Sequence, residues 1–138
     1  MLSWFSCVPI LLAALAVGCR EAPPATRELT LWRPIGSWSG GGLVQTEAFI
    51  GETGAFRIRW RAFNESSPDS GVFRIVLHSS VSGRPLLTVL EHRGTGAGEQ
   101  HVTEDPREFF LVMEAAGIEW SVSVDEAVRA SGPAAGNR

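Results

Sequence analysis

The folded part of this chain is expected to lack cysteine, because Cys7 and Cys19 both lie in or beside an N-terminal apolar segment. A domain without cysteine has no disulfide framework, no Cys-x-x-Cys zinc site and no thiol nucleophile. The chain also has no lysine, and its 12 arginines are interspersed with 15 acidic residues for a formal net charge of -3. A nucleic-acid partner requires a strongly basic face, so we predict no nucleic-acid binding.

Long hydrophobic runs are missing as well. Residues 8–17 form an apolar stretch that is much shorter than the roughly 20 residues of a membrane-spanning helix. The stretch is typical of the apolar region of a secretory signal peptide, and it ends in the small residues that a cleavage site requires. The sequence therefore predicts an exported protein.

The apolar stretch ends in Leu15-Ala16-Val17-Gly18-Cys19, which resembles the bacterial lipobox. In that motif a small residue precedes a cysteine that receives diacylglycerol before the signal is cut. The resemblance implies a lipoprotein signal peptide at residues 1–18 and lipidation of Cys19, whose acyl chains would hold the protein at a membrane. Two alternatives stay open: an ordinary secretory signal that happens to contain Cys19, and a cytoplasmic protein with an apolar N-terminus.

The remaining chain divides into a tether, one domain and a tail. Residues 19–27 form a polar, proline-containing tether after the lipidated cysteine, and residues 129–138 are predicted to be a disordered tail. Arg20, rather than aspartate, follows Cys19, which in the Gram-negative lipoprotein pattern implies transport to the outer membrane. Residues 28–128 are long enough for one domain whose core needs no cofactor, disulfide or metal.

The hydrophobic pattern of the domain has a period of two, which predicts strands with one face in the core. Phe56, Ile58 and Trp60 alternate with arginines, and residues 73–78 and 120–125 alternate in the same way. Weaker candidate strands lie at residues 28–33, 43–50, 86–92, 99–103 and 109–114. Turn residues separate these segments, including a glycine-rich loop at residues 94–98 that is predicted to be a hairpin loop.

About eight strands at this spacing predict an all-β fold, a single antiparallel β-sandwich of jelly-roll type. Residues 108–116 are ambiguous, because their consecutive apolar residues would also suit a helical turn. We favour a strand buried on both faces, since Pro106 precedes the segment and Gly117 ends it.

Four segments share a further pattern, namely residues 38–40, 45–49, 56–60 and 120–124. Together they resemble the CUB-like and pre-peptidase C-terminal-like jelly rolls of bacterial secreted proteins. The likeness extends over residues 29–124 and includes no catalytic or ligand motif. Such domains usually accompany exported enzymes or bind sugars, proteins or calcium. For calcium, the resemblance points to acidic loop residues, namely Glu47, Glu65, Asp69, Glu104 and Asp105.

Arginines and one tryptophan are the candidate ligand-binding residues. Arg57, Arg59 and Arg61 should project from one face at intervals of about 6.5 to 7 Å, with Arg74 on a neighbouring strand. Such a face would suit an anionic polymer, whereas the alternative is cross-strand pairing with glutamates. Trp38, like Trp32, could stack on a sugar ring, and the alternative there is packing at the edge of the core.

Histidines offer the remaining chemistry. His92 and His101 flank residues 94–98 and could face each other across a hairpin near Asp105. These three residues are weak candidates for metal ligands. The alternative is a pair of exposed histidines at strand ends. The segment at residues 36–40 is not a nucleophile elbow, because Trp38 stands where a serine is required.

Together these observations predict a non-enzymatic lipoprotein of the cell envelope, with a β-sandwich that serves as a binding or structural module and needs no cofactor. Its expected partners are the membrane, through Cys19, and an envelope protein, glycan or anionic polymer. The alternative is a small envelope metal-binding protein or enzyme that uses His92, His101 and nearby carboxylates.

Overall fold

Alternation of apolar and polar side chains produces strands along the whole domain. The computed structural model describes residues 18–19 and 27–132. Its strands are β1 (Arg27–Gly40), β2 (Val44–Gln45), β3 (Phe49–Gly51), β4 (Ala55–Phe63), β5 (Val72–Ser79), β6 (Pro85–Arg93), β7 (Gly96–Thr103), β8 (Arg107–Ala116) and β9 (Glu119–Gly132). None of the residues in these ranges forms a helix that could cross a membrane. The predicted signal peptide before Gly18, the tether at 20–26 and the last residues, 133–138, lie outside this description.

The strands form two antiparallel sheets that pack face to face. Sheet I has the order β1-β9-β4-β7, and sheet II has the order β2-β8-β5-β6, with β3 also paired to β8. When β2 and β3 are counted as one interrupted strand, the chain changes sheet at every connection except the β5–β6 hairpin. Two four-stranded sheets linked in this way form a jelly roll. The predicted antiparallel β-sandwich is therefore confirmed.

The core lies between the sheets and is built by the inward faces of the predicted strands. Phe56, Ile58 and Trp60 of β4 are buried, as are the inward residues of β5 and β9. Phe56 meets Phe109 of β8 edge to face, with ring centroids 5.2 Å apart, and Phe73 stacks on Trp120 at 5.8 Å. Aromatic pairs in these geometries add about 0.5 to 1.5 kcal/mol beyond the area that they bury.

The ambiguous segment before Gly117 is a strand. In β8, Phe109, Leu111 and Met113 are fully buried, while Phe110 and Val112 on the other face are half-buried. The strand pairs with β5 on one side and with β2 and β3 on the other. A central strand of this kind explains the consecutive apolar residues that also suited a helix.

Strands β1 and β9 are longer than the sequence predicts. They pair from Arg27 opposite Gly132 to Gly40 opposite Trp120, with a register shift between Pro34 and Gly36. Proline cannot donate to a strand ladder and is tolerated on an edge strand or at a bulge, which is where Pro34 lies. The predicted end of the domain at residue 128 is therefore too early, because β9 stays paired to Gly132.

The predicted strand at residues 43–50 is interrupted. Residues 46–48 separate β2 from β3, and the hydroxyl of Thr46 accepts a hydrogen bond of 3.0 Å from the Leu111 amide. Its own amide donates to the Leu111 carbonyl at 2.9 Å. The buried threonine thus replaces part of the ladder between the two short strands and β8.

The glycine-rich segment at residues 94–98 is not a hairpin loop, so this expectation is wrong. Gly94 and Thr95 carry the chain from β6 in sheet II to β7 in sheet I. Gly94 has a φ of 82°, a left-handed conformation that favours glycine. At Gly98, an added Cβ would lie 2.9 Å from Nε1 of Trp60, so the absence of a side chain allows the indole to pack there.

A buried carboxylate closes one end of the core. Glu126 is fully buried on the inward face of β9. Its Oε1 accepts hydrogen bonds from the Thr53 amide at 2.7 Å, the Thr53 hydroxyl at 3.1 Å and the Gly54 amide at 3.3 Å. Its Oε2 accepts one from Arg33 at 2.5 Å. Burial alone would raise the pKa of Glu126, but these hydrogen bonds outweigh it and hold the pKa below its usual value.

We expect Glu126→Gln to lower the free energy of unfolding by about 2 kcal/mol at neutral pH, because hydrogen bonds to a charged group contribute about 1.5 to 3 kcal/mol. The lowered pKa makes this stabilisation complete above the ordinary value of 4.5 and lost as the pH falls through the folded-state pKa. Urea denaturation at pH 7 and pH 3 should therefore show a smaller difference between variant and wild type at the lower pH.

The matched control is Glu114→Gln, whose exposed carboxylate lies 3.5 Å from Arg74. Exposed ion pairs are worth about 0 to 1 kcal/mol. Equal losses of stability in the two variants would contradict the structural role of Glu126.

Candidate functional site

The outer face of sheet I combines short hydroxyl side chains with long cationic ones. Strand alternation turns Ser37 and Ser39 of β1, Ser121 and Ser123 of β9, and Arg59 and Arg61 of β4 away from the core. The register places them in two rows, Ser39-Ser121-Arg61 and Ser37-Ser123-Arg59. We call these six residues the serine–arginine face.

The serine–arginine face carries a shallow, open depression. A depression of about 470 Å³ is lined by residues 37–39, 59–61 and 121–123. Serines leave a low floor over β1 and β9, whereas the arginines stand along one side. Small-ligand sites have volumes of roughly 300 to 1,000 Å³. This depression has a similar volume but is open to solvent, which suits a ligand that extends beyond it.

One buried carboxylate holds two of the arginines in place. Oδ2 of Asp125 accepts hydrogen bonds from Arg57, with Nε at 3.2 Å and Nη2 at 2.8 Å, and from Nη2 of Arg59 at 2.9 Å. The Asp125 side chain is 8% exposed, Arg57 is 21% exposed and Arg59 is 52% exposed. Two hydrogen-bond donors of Arg57 are therefore taken by Asp125, whereas Arg59 uses one and keeps others that reach solvent.

Arg61 is the most available cation of the three. Among the residues that the structure describes, no carboxylate pairs with it. Its guanidinium lies 5.3 Å from the centre of the Phe63 ring. A cation over an aromatic face is oriented by that ring, so Arg61 is positioned while its hydrogen-bond donors stay available to a ligand.

An aromatic cluster borders the same face. The Arg57 guanidinium lies 4.4 Å from the centre of the Trp32 ring, and His101 meets that ring edge to face at 5.7 Å. Nε2 of His101 lies 2.6 Å from Oε1 of Glu99. Trp32 is thus the tryptophan on this outer face, at one end of the arginine row.

Trp38, the predicted sugar-stacking residue, faces the other way. It packs against the core, with its ring 6.4 Å from that of Phe49. Its indole Nε1 donates to Glu47 at 3.4 Å. The structure therefore places Trp38 in the alternative role, packing at the edge of the core.

Arg74 does not join the other arginines, and its expected place on a neighbouring strand is wrong. The connection after β4 crosses to sheet II, so β5 carries Arg74 to the opposite side of the sandwich. There it pairs with Glu91 at 3.1 Å and with Glu114 at 3.5 Å. The neighbours of β4 are β9 and β7.

The histidines are also kept apart, because β6 and β7 belong to different sheets. His92 packs on Trp60, with ring centroids 4.7 Å apart, whereas His101 lies on the outer face of sheet I beside Glu99 and Trp32. Asp105 is exposed and lies 3.6 Å from Arg107. Within residues 18–19 and 27–132, no three His, Cys, Asp or Glu side chains are grouped so as to hold a metal ion.

Two of the acidic residues suggested for calcium, Glu65 and Glu47, hold hydrogen bonds to other parts of the fold. Glu65 accepts the amides of Asp69 at 2.9 Å and Gly71 at 3.0 Å, so its carboxylate stabilises the β4–β5 connection. Glu47 accepts the Trp38 indole hydrogen bond. The amide of Glu104 pairs with Gly54 on the β3–β4 connection.

The serines are the residues that sequence reasoning did not select. Ser121 and Ser123 were visible as the outward partners of Trp120, Val122 and Val124, and Ser37 and Ser39 flank Trp38 in the same alternating way. The sequence pattern does not reveal that β1 pairs with β9 and that β9 lies next to β4. Only that strand order brings residues so distant in sequence into adjacent rows.

Asp125→Asn should lower the free energy of unfolding by about 2 kcal/mol, because it removes the charged acceptor of two arginines and leaves their like charges adjacent. Chemical denaturation measures the loss. Glu99→Gln, an exposed change on the same face, should cost less than about 1 kcal/mol. If Asp125→Asn were as stable as that control, Asp125 would not organise the arginines.

Comparison with protein-family models, with curated proteins and with solved structures finds no match to this chain.

Proposed function

We propose that this chain is a lipid-anchored binding module of the bacterial cell envelope, and that its serine–arginine face binds an acidic glycan. The observation that carries the proposal is the juxtaposition of four serine hydroxyls with Arg59 and Arg61 in one open depression. Hydroxyls both donate and accept hydrogen bonds, as sugar hydroxyls do. Guanidinium groups bind carboxylates through paired hydrogen bonds.

The arginines of this face favour an anionic ligand, because two of them keep donors that no carboxylate occupies. Arg57, Arg59 and Arg61 project from the outer face of sheet I, where Asp125, Glu99 and, one row beyond Ser121, Glu119 supply carboxylates. Asp125 is shared by two arginines, and Glu99 is hydrogen-bonded to His101. Glu119 accepts a hydrogen bond from Asn64. Arg59 and Arg61, beside the serines, therefore keep guanidinium donors for an anionic ligand.

Binding rather than catalysis is the role that we propose for these serines. A serine nucleophile needs a general base within hydrogen-bond reach. In the described part of the chain, the hydrogen bonds of His92 and His101 go to the Thr95 carbonyl and to Glu99. Catalytic pairing of a histidine with this face thus has no support in the geometry.

The membrane attachment that we propose rests on the lipobox-like segment ending at Cys19. The Cys19 thiol is free and exposed, as an acceptor of diacylglycerol must be. The chain would be exported and, with Arg20 after the cysteine, carried to the outer membrane of a Gram-negative cell. The membrane would then be the partner at Cys19, and the glycan would be the partner at the outer face of sheet I.

Cys19→Ser is expected to abolish acylation in the bacterial host, whereas Cys7→Ser should leave acylation intact, because only Cys19 follows the lipobox-like residues. Metabolic labelling with an alkyne fatty acid, followed by mass spectrometry of the N-terminal peptide, measures the modification. Label incorporated into the Cys19→Ser protein would rule out Cys19 as the lipidation site.

The double variant Arg59→Gln/Arg61→Gln should bind oligogalacturonate at least tenfold more weakly, since tenfold corresponds to about 1.4 kcal/mol and each charged hydrogen bond contributes about that much. Isothermal titration at low and physiological salt provides the measurement, and the attraction should weaken with salt. Ser121→Ala/Ser123→Ala should weaken binding while leaving the charge unchanged.

Arg93→Gln is the matched control, because Arg93 is an exposed arginine at the end of β6 in sheet II. It should bind like the wild type. Equal binding by the control and the double variant would refute the site, and undiminished binding of polyphosphate by the serine variant would identify charge alone as the attraction.

A further inference from the structure

The paired ends of β1 and β9 continue beyond the rest of sheet I. Phe56 lies opposite Glu126, and β4 begins one residue earlier, at Ala55. Beyond that point β9 pairs with β1 alone, down to Gly132 opposite Arg27. We call this two-stranded segment, residues 27–31 and 128–132, the terminal ribbon.

One side of the terminal ribbon is apolar, and none of the residues that the structure describes covers it. Leu29 lies opposite Ala130, and Leu31 lies opposite Val128. These side chains follow the same alternation as Val124 and Glu126, so they continue the inward face of sheet I past the sealed end of the core. Leu29 is 54% exposed and Leu31 is 51% exposed, which is unusual for leucines on the side of a sheet that faces the core.

Further exposed apolar side chains lie at the same end of the sandwich. Ile50 of β3 is 67% exposed, and Val81 in the β5–β6 turn is 85% exposed. The register places both near Phe109, since Phe49 and Ser79 lie opposite that residue. Phe109 in turn packs on Phe56 at the start of β4, which is the end of sheet I from which the ribbon extends.

The point at which the domain begins indicates what covers this apolar end. The domain begins at Arg27, in the terminal ribbon, and residues 20–26 separate it from Cys19. Extended chain covers at most about 3.6 Å per residue, so Arg27 lies within roughly 30 Å of Cys19. If Cys19 carries acyl chains, as proposed above, the leucines of the ribbon are held close to the bilayer surface.

We propose that the terminal ribbon makes a second contact with the lipid bilayer, through Leu29 and Leu31, with Ile50 and Val81 beside them. The inference rests on the proposed function for its membrane anchor and adds a protein surface that recognises lipid directly. Apolar side chains that enter the boundary between head groups and acyl chains are removed from water. Arg84, exposed in the same turn as Val81, can extend its charged end to the head groups while its stem stays apolar.

Such a contact would orient the domain. The terminal ribbon would point toward the bilayer, and the opposite end, with Leu43 and the β4–β5 connection, would point away. The serine–arginine face would then stand on the side of the molecule, open to a ligand that runs past the membrane surface. A tether alone would leave the domain free to rotate.

The test uses the lipidated mature protein in vesicles of phosphatidylethanolamine and phosphatidylglycerol. A polarity-sensitive fluorophore is attached in Leu31→Cys, in Thr30→Cys on the opposite side of the ribbon, and in Leu43→Cys at the far end of the sandwich, where the wild-type side chain is 72% exposed. Lipids brominated in their acyl chains quench a fluorophore that enters the bilayer. Quenching at residue 31 is expected to exceed that at residues 30 and 43 at least threefold.

Equal quenching at residues 31 and 43 would overturn the contact. Unchanged emission from the label at residue 31 on addition of vesicles would also overturn it. Circular dichroism of each labelled protein shows that it keeps its strands.

A second measurement separates this inference from the lipid anchor. The mature chain from residue 19 with Cys19→Ser, which carries neither the signal segment nor an acyl group at that residue, is sedimented with the same vesicles. It is compared with the same chain carrying Leu29→Ser/Leu31→Ser. The leucine change should reduce the bound fraction at least threefold, whereas Leu43→Ser should not. If mass spectrometry finds no acyl group on wild-type Cys19 but the leucine effect remains, the anchor fails and the contact stands. If high salt abolishes vesicle binding and the leucine change leaves that binding intact, the binding is due to arginines and the contact is overturned.

Discussion

Hydrogen bonding along both sides of β9 is the constraint on which the rest of this structure depends. β9 pairs with β1 on one side and β4 on the other, so it joins the first strand of the domain to the middle of the chain. Its inward residues, among them Trp120, Val122 and Val124, fill the core. Its outward residues form the floor of the serine–arginine face. A shift of β9 by one residue would exchange the two sets.

Two consecutive carboxylates of β9 illustrate how one strand serves both sides of a sheet. Asp125 points outward and gathers Arg57 and Arg59, while Glu126 points inward and joins the β3–β4 connection to Arg33. Each has its own set of donors, which is what permits a charged group to be buried. The first organises a surface and the second closes the core, although they are neighbours in sequence.

Local pattern predicted the elements better than their arrangement. The alternation around Phe56, Phe73 and Trp120 predicted three core strands, because a side-chain period of two depends only on neighbouring residues. The outward direction of Arg57, Arg59 and Arg61 followed from the same period. Arg74 and the His92–His101 pair were misplaced, since their positions depend on which sheet each strand joins. Two strands that follow one another in a jelly roll mostly belong to opposite sheets, and turn residues do not reveal the crossing.

The pairing of β1 with β9 has a consequence for how the chain reaches its native state. Arg27 is among the first residues of the domain to be synthesised, and its partner Gly132 is among the last. The edge of β1 therefore has no native partner until the whole domain is present, and such non-local pairing slows folding. During that interval an apolar β1, with Leu29, Leu31 and Trp32, is open to intermolecular strand pairing. If the chain is exported, as we propose, it crosses the membrane from its N-terminus and meets this risk on the far side, where β1 arrives long before β9.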